Sequence, residues 1–162
     1  MFALIPAYEP VEHLPELVAA LRAEDPSLGI LVVDDGSGPA FAPVFERVAR
    51  LGAEVLRHDR NRGKGAALKT GFRHISELHA GEGVVTADAD GQHLAADILA
   101  VAADVEAEGE RSGRTLVLGC RDFAGGIPLR SRVGNDIARA LFRVAAGWRL
   151  SDTQTGLRGA PA

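Results

Sequence analysis

Val84-Val85-Thr86-Ala87-Asp88-Ala89-Asp90-Gly91-Gln92-His93 carries an apolar run straight into a cluster of carboxylates, glycine and amide. The first four residues are β-branched or small, the composition of a buried strand. Asp88 and Asp90 then stand two apart, with Gln92 two further on. In an extended segment, residues i, i+2 and i+4 project to the same side. Two carboxylates and an amide oxygen would then converge as hard oxygen ligands, the donor set of Mg²⁺ or Mn²⁺. A solvated acidic turn uses the same residues, and D-x-D alone is common, so the surroundings must decide. His93 reads as a supporting or surface residue rather than a ligand.

Working outward, the same event recurs four more times. Strands are expected at Phe2–Ile5, Ile30–Val33, Glu54–Arg57, Val84–Ala87 and Leu116–Cys120. Each runs into a polar, acidic or glycine-rich segment: Pro6-Ala7-Tyr8-Glu9, Asp34-Asp35-Gly36-Ser37-Gly38, Asn61-Arg62-Gly63-Lys64-Gly65, the Asp88–His93 stretch, and Arg121-Asp122. Between the strands, apolar residues recur at helical spacing: Leu14, Leu17, Val18 and Leu21; Leu68, Phe72 and Ile75; Ile98, Val101, Ala102 and Val105. These stripes are read as core. Alternating strands and helices with uninterrupted apolar strands predict an α/β fold, a mainly parallel sheet with helices on both faces. Ligands of such sheets bind beyond the carboxyl ends of the strands, where all five unusual segments fall.

Asp34 and Asp35 are strand neighbours and point to opposite faces, so only one should reach a ligand. A carboxylate there can accept the ring N–H of uracil or guanine. The glycine segments fail the usual nucleotide signatures. Gly36-Ser37-Gly38 departs from G-x-G-x-x-G at Phe41, and Gly63-Lys64-Gly65 departs at Leu68. Gly63-Lys64 is not a P-loop either, because Gly65 replaces Ser/Thr and His58 replaces the leading Gly. A flexible backbone beside the Lys64 ammonium still suits close approach to a phosphate-bearing ligand; a purely structural turn is the plainer alternative. An acidic-pocket receiver domain needs a Lys after the fifth strand, where Arg121 stands.

The 162 residues fit one domain with a real core, and 46% hydrophobic and 25% charged content is that of a globular chain. No apolar run approaches the roughly 18 residues of a membrane span, and the apolar N-terminus lacks the basic flank of a signal peptide. Cys120 is the single cysteine, which leaves no intrachain disulfide and points to a reducing, cytoplasmic setting. The net charge of −4 hides an asymmetry. Residues 1–109 hold 9 Lys+Arg against 18 Asp+Glu, a net of −9, whereas residues 110–162 hold 9 Arg against 4 acids, a net of +5. The acidic part is no nucleic-acid surface; the arginine-rich part could meet phosphates or an anionic membrane. Within it, Gly125-Gly126-Ile127-Pro128 reads as a mobile loop. Val133, Ile137, Leu141 and Val144 read as one helix face, opposite Arg132, Asp136, Arg139 and Arg143. Asp152–Arg158 reads as loop, with the chain ending in mid-loop.

Taken in order, Ile5–Tyr8, Val33–Ser37, Asn61–Leu68, Asp88–His93, Gly119–Arg121 and Asp152–Arg158 resemble the family-2, GT-A-fold glycosyltransferases, and within them the polyprenyl-phosphate (dolichyl-phosphate mannosyltransferase-like) group. The resemblance implies a Rossmann-like GT-A domain over residues 1–162, with 1–109 binding a nucleotide-sugar and 110–162 beginning the acceptor side. It implies that Pro6, Ala7, Tyr8, Glu9, Asp35 and Lys64 hold the nucleoside of a UDP- or GDP-sugar and that Asp88 sits against the diphosphate. Asp90 and Gln92 would bind Mg²⁺ or Mn²⁺, and Arg121 with Ser131 and Arg132 would form an acceptor-phosphate site. Two departures stand out. Glu9 replaces the usual Asn or Asp, and the family's core continues past Arg158, often into amphipathic or membrane helices, so the chain reads as C-terminally truncated.

The reaction so implied is inverting transfer of a sugar to an acceptor. A lipid phosphate is already anionic near neutral pH, whereas a hydroxyl would need a base, for which Asp152 is the candidate. Six Arg against two Asp between Arg121 and Arg149 favour a lipid-phosphate acceptor, met peripherally at the inner membrane face; Arg132 and Arg139 can each pair with Asp136, which tempers this. Competing readings are a nucleotide-sugar-binding module without turnover, transfer to a sugar hydroxyl, and a sugar-phosphate nucleotidyltransferase. The last would place a glycine-rich basic loop where Pro6-Ala7-Tyr8-Glu9 stands.

Overall fold

The computed structural model describes residues 1–111, 115–119 and 156–162. Cys120, Arg121, Asp122, the Gly125–Pro128 segment, Ser131, Arg132, the expected 133–144 helix and Asp152 lie outside the described residues.

Strands β1 (Phe2–Ala7), β2 (Gly29–Asp34), β3 (Glu54–Arg57), β4 (Val84–Thr86), β5 (Val117–Leu118) and β6 (Arg158–Ala160) form one sheet in the order β3-β2-β1-β4-β6-β5. The pairs β1–β2, β1–β4 and β2–β3 are parallel; β6 runs antiparallel between β4 and β5. Helices α1 (His13–Glu24), α2 (Ala42–Arg50), α3 (Lys64–Leu78) and α4 (Ala95–Arg111) connect them, with a short 3₁₀ turn at Pro39–Phe41.

Strand alternation divides the core in two. Ala3, Ile5, Ala7, Ile30, Val32, Val85 and Ala87 face a cluster with the buried stripes of α1, α2 and α4, while Leu4, Leu31, Val33 and Val84 face α3. The sheet is therefore covered on both faces, as its apolar strands require. The α1 stripe is buried as expected, and so is that of α4. The α3 stripe is shifted: Ala67, Gly71 and Ile75 are buried, Leu68 is partly buried, and Phe72 is 40% exposed. Small residues win that face because α3 lies so close to β1 that a Cβ on Gly71 would stand 2.2 Å from Leu4 Cδ1.

Three further differences bear on the site. Strand β1 continues through Pro6, although proline is unusual in a central strand. Residues 2 and 4 turn their polar groups toward β4, through Phe2 N–H to Gly83 O and Ala87 N–H to Leu4 O, so the nitrogen of Pro6 faces the same way. There β4 has already ended at Thr86, and no ladder bond is lost. Secondly, the expected loop at 152–158 gives way at its end to β6. Thr86 Oγ1 donates to Gly156 O at 2.9 Å, and Leu157 is buried. A Cβ on Gly159 would meet Val105 Cγ2 at 2.2 Å, so the strand depends on glycine to fit beneath α4. Lastly, α2 buries only Phe45 and Val48, too short a stripe to register as periodicity.

Candidate functional site

Where β4 stops short and β1 continues, the sheet opens at its carboxyl rim, the switch point at which such sheets take ligands. A cleft of about 480 Å³ occupies it. Pro6, Ala7, Tyr8 and Glu9 line it from the end of β1, Asp35, Gly63 and Lys64 from beyond β2 and β3, and Asp88 and Asp90 from beyond β4. The segments following four separate strands thus meet in one place.

The two aspartates at the end of β2 divide as strand geometry requires. Asp34 is buried and structural: Oδ1 accepts from Ser37 N–H at 2.8 Å and Oδ2 from Arg57 Nε at 2.8 Å. Asp35 lines the cleft from a buried seat. His58 Nδ1 lies 2.7 Å from Asp35 Oδ1, Arg62 N–H donates to the same oxygen at 3.0 Å, and Gly63 N–H donates to Oδ2 at 2.7 Å. An ionised carboxylate only accepts, so the His58 proton sits on Nδ1, and Nε2 meets the Thr70 hydroxyl at 2.9 Å. Burial pushes the Asp35 carboxyl up; the bonds from His58, Arg62 and Gly63 and the His58 charge outweigh it and hold the group below the usual range. Oδ2, with one donor, keeps further acceptor capacity. His58 is the residue that sequence reasoning missed as a site component, seen there only as the wrong residue for a P-loop.

Two glycines give this seat its shape. Gly36 has φ +76° and passes so close to the next loop that a Cβ would stand 2.2 Å from the Arg60 carbonyl carbon. Gly63, at φ +89°, caps α3 and delivers its N–H to Asp35. Glu9 is also left-handed, at φ +48°, although it is not glycine; its N–H donates to Ser37 Oγ at 2.8 Å, tying the segment after β1 to the β2 loop.

Beyond β4 the chain is not extended. With β4 ended at Thr86, residues 89–91 bend, and Gly91 has φ +81°. The alternation expected for Asp88, Asp90 and Gln92 therefore does not apply. Asp88 and Asp90 line the cleft, whereas Gln92 is exposed and turns its backbone N–H back to Asp90 Oδ1 at 3.0 Å. Lys64 Nζ sits 2.5 Å from Asp88 Oδ1, and His93 Nε2 faces Oδ2 at 3.9 Å. The His93 imidazole and the Lys64 ammonium hold the Asp88 carboxyl down to about 2, against partial burial that pulls it up. At 3.9 Å the imidazole acts through charge rather than a hydrogen bond, so Lys64 is the firmer partner. Behind Asp88 the tail closes in: a Cβ on Gly156 would stand 2.3 Å from Oδ2.

Four carboxylates (Glu9, Asp35, Asp88, Asp90) and one ammonium line the cleft. Such a site disfavours a bare polyphosphate and favours a cation. Asp88 Oδ2 and the exposed Asp90 are carboxylate oxygens of the hard type that Mg²⁺ and Mn²⁺ take, so the residues present fit the metal that the sequence implies. No helix among the described residues is long and apolar enough to cross a membrane.

An open α/β sheet with an acidic cleft at its switch point defines an α/β protein with a ligand cleft at its carboxyl rim. The chain belongs to glycosyl transferase family 2, whose family model matches residues 2–143. It is 32% identical over 158 residues to the uncharacterized protein MJ1222 of Methanocaldococcus jannaschii, covering 98% of this chain and 63% of that protein. It is 27% identical over 177 residues to the UDP-N-acetylglucosamine–dolichyl-phosphate N-acetylglucosaminyltransferase of Methanococcus voltae, covering 98% and 68%. Among solved structures, the mannosyltransferase PcManGT from Pyrobaculum calidifontis, in complex with GDP-Man and Mn²⁺, superposes with a TM-score of 0.63 over 99% of this chain and 44% of its own, at 22% identity. That likeness establishes the GT-A fold. The chain thus spans roughly two thirds or less of these proteins.

Proposed function

We propose that the protein transfers a sugar from a nucleoside diphosphate to a polyprenyl phosphate, with inversion and with a divalent cation. The observation that carries the reading is the cleft itself, with a buried, prearranged carboxylate at one end and a loosely held acidic pair at the rim. Asp35 would accept the ring N–H of uracil or guanine through Oδ2, with Pro6, Ala7, Tyr8 and Glu9 flanking the nucleoside. Lys64 and the N-terminus of α3 would meet the diphosphate, where unpaired helix N–H groups favour negative charge. Asp88 and Asp90 would hold Mg²⁺ or Mn²⁺, with Gln92 joining only after the turn rearranges. A bound cation supplies neutralisation of the charge growing on the departing diphosphate.

Charge and one named relative support this acceptor. The Methanococcus voltae transferase is named for a dolichyl-phosphate acceptor, and residues 110–162 carry nine Arg against four acids. Arg121, Ser131 and Arg132 are the proposed acceptor-phosphate residues. A phosphate monoester attacks without a base, which leaves Asp152 needed only for a hydroxyl acceptor. The protein would then work peripherally at the membrane surface.

The test uses the full-length protein with UDP- and GDP-sugars, polyprenyl phosphate, and Mn²⁺ or EDTA. The expected result is a glycosyl phospholipid and free nucleoside diphosphate, both lost with EDTA or Asp90→Ala. Donor binding that is indifferent to metal and to Asp90→Ala, with no transfer, would leave a nucleotide-sugar-binding module instead.

A further inference from the structure

Away from the cleft, on the α3 face of the sheet, three side chains that the proposed chemistry does not use converge. Glu54 opens edge strand β3, with Leu31 as its register partner, and so projects to the face covered by α3. His74 lies in the last turns of α3, and His79 caps that helix, its backbone N–H bonded to Ile75 O. His74 Nε2 is 2.5 Å from Glu54 Oε1, and His79 Nε2 is 3.8 Å from Oε2. One ligand atom from each residue falls within 4.8 Å of the others.

We propose that Glu54, His74 and His79 form a second metal site, for a borderline divalent transition ion of the Zn²⁺ class. Both imidazoles present Nε2 to the same carboxylate, and only one hydrogen-bonds to it, since 3.8 Å is too long. A cation of about 2.0–2.2 Å bond length to nitrogen and oxygen can bind all three at once after sub-ångström to ångström adjustments of the side chains. Two neutral imidazoles and one carboxylate carry a single negative charge, which a divalent ion overcomes without the mutual repulsion of an all-acid cluster. The ligands come from ordered places: a strand start, a helix turn and a helix cap. The His79 ring is further held against Phe2, with centroids 4.4 Å apart. Side-chain exposures of 41%, 17% and 37% leave an entry path and room for a water as further ligand.

The donor set separates this site from the rim. Imidazole favours Zn²⁺, Co²⁺, Ni²⁺ and Cu²⁺, whereas Mg²⁺ and Mn²⁺ favour the all-oxygen set of Asp88 and Asp90. His74 stands ten residues along α3 from Lys64, about 15 Å at the rise of a helix, so a metal here touches no proposed donor contact. Its effect would be to clamp the exposed end of β3, which among the described residues pairs only with β2, to the far end of the helix that carries Lys64.

The test takes the untagged full-length protein, freed of metal, and titrates Zn²⁺ alone. One ion should bind and raise Tm, and His74→Gln, His79→Gln and Glu54→Gln should each weaken it more than about 100-fold, since even supporting residues around a metal are worth 10–100-fold. Asp90→Asn should leave it intact and Mg²⁺ should not compete. Cu²⁺ bound to the wild-type protein should show coupling to two nitrogens in its EPR spectrum, a readout that needs no variant to fold. Zn²⁺ affinity unchanged in His74→Gln and His79→Gln, or abolished by Asp90→Asn, would overturn the site, as would copper without two-nitrogen coupling. None of these outcomes depends on sugar transfer.

Discussion

The seat of Asp35 and the rim of Asp88 and Asp90 are both carboxylate sites in one cleft, and they are built on opposite principles. Asp35 is 3% exposed and accepts from an imidazole and two backbone N–H groups, an arrangement set before any ligand arrives. Asp88 is part-buried and held chiefly by one half-exposed lysine, and Asp90 is exposed and bonded to a backbone N–H within its own turn. Prearrangement suits recognition of a flat base edge, because ordering costs are met at folding rather than at binding. The open rim suits a metal and a diphosphate that must enter, be held and leave.

Asp90→Ala is the sharpest test of that division. Loss of the carboxylate proposed to hold the metal should cut transfer on the order of 10²–10³-fold, the equivalent of several kcal/mol of transition-state charge stabilisation. Unfolding should change by less than about 0.5 kcal/mol, as for an exposed residue. A large fall in Tm would show the rim to be structural and break the comparison.

His58→Ala should do the reverse. It removes a donor from a buried carboxylate, costs about 1–3 kcal/mol and lowers Tm by roughly 2–12 °C for a domain of this size. Donor KM should rise while kcat on saturating donor holds. An unchanged Tm with failed catalysis would sink the positioning role of the Asp35–His58–Thr70 chain.

Acid provides a third contrast. The folded-state value of Asp35 is depressed, so its stabilisation is complete above the unfolded value of about 3.9 and is lost as pH falls through the lowered folded one. Urea midpoints of wild type and Asp35→Asn should therefore converge as pH falls from about 5 through the acid range. Salt should act on the other region: the exposed Lys64–Asp88 pair is screened at 1 M salt, where the Debye length is about 3 Å, and the buried Asp35–His58 contact is not. The smallest effect is at Glu9. Its left-handed backbone is strained by about 1 kcal/mol, which Asn tolerates better, so Glu9→Asn should raise Tm by roughly 1–4 °C in a thermal melt.

Much of this was legible in the chain. Four of the strand ends delivered their polar segments to one cleft because a parallel sheet aligns carboxyl ends, and the alternation of Asp34 and Asp35 correctly required one of them to turn away. The reading failed where local pattern carries no signal. Leu157-Arg158-Gly159-Ala160 has neither length nor β-branched content to mark a strand; the groove between β4 and α4 makes it one, by admitting Gly159. Phe72 fits a helical stripe in sequence, but close approach of α3 to β1 selects Ala67 and Gly71 instead. Gln92 was expected beside Asp88 and Asp90 on the premise of an extended chain, and the turn at Gly91 removes that premise.

The sequence by itself determined the α/β alternation, the two-sided core and the chemical kind of residue at each strand end, since hydrophobic period and glycine placement are local properties. Only the tertiary structure decided which carboxylates are locked and which are open, that His58 stands behind Asp35, that the tail enters the sheet antiparallel, and that Glu54 meets His74 and His79. Those depend on contacts between residues 20 to 76 positions apart, which no local pattern encodes because the chain must fold before they touch.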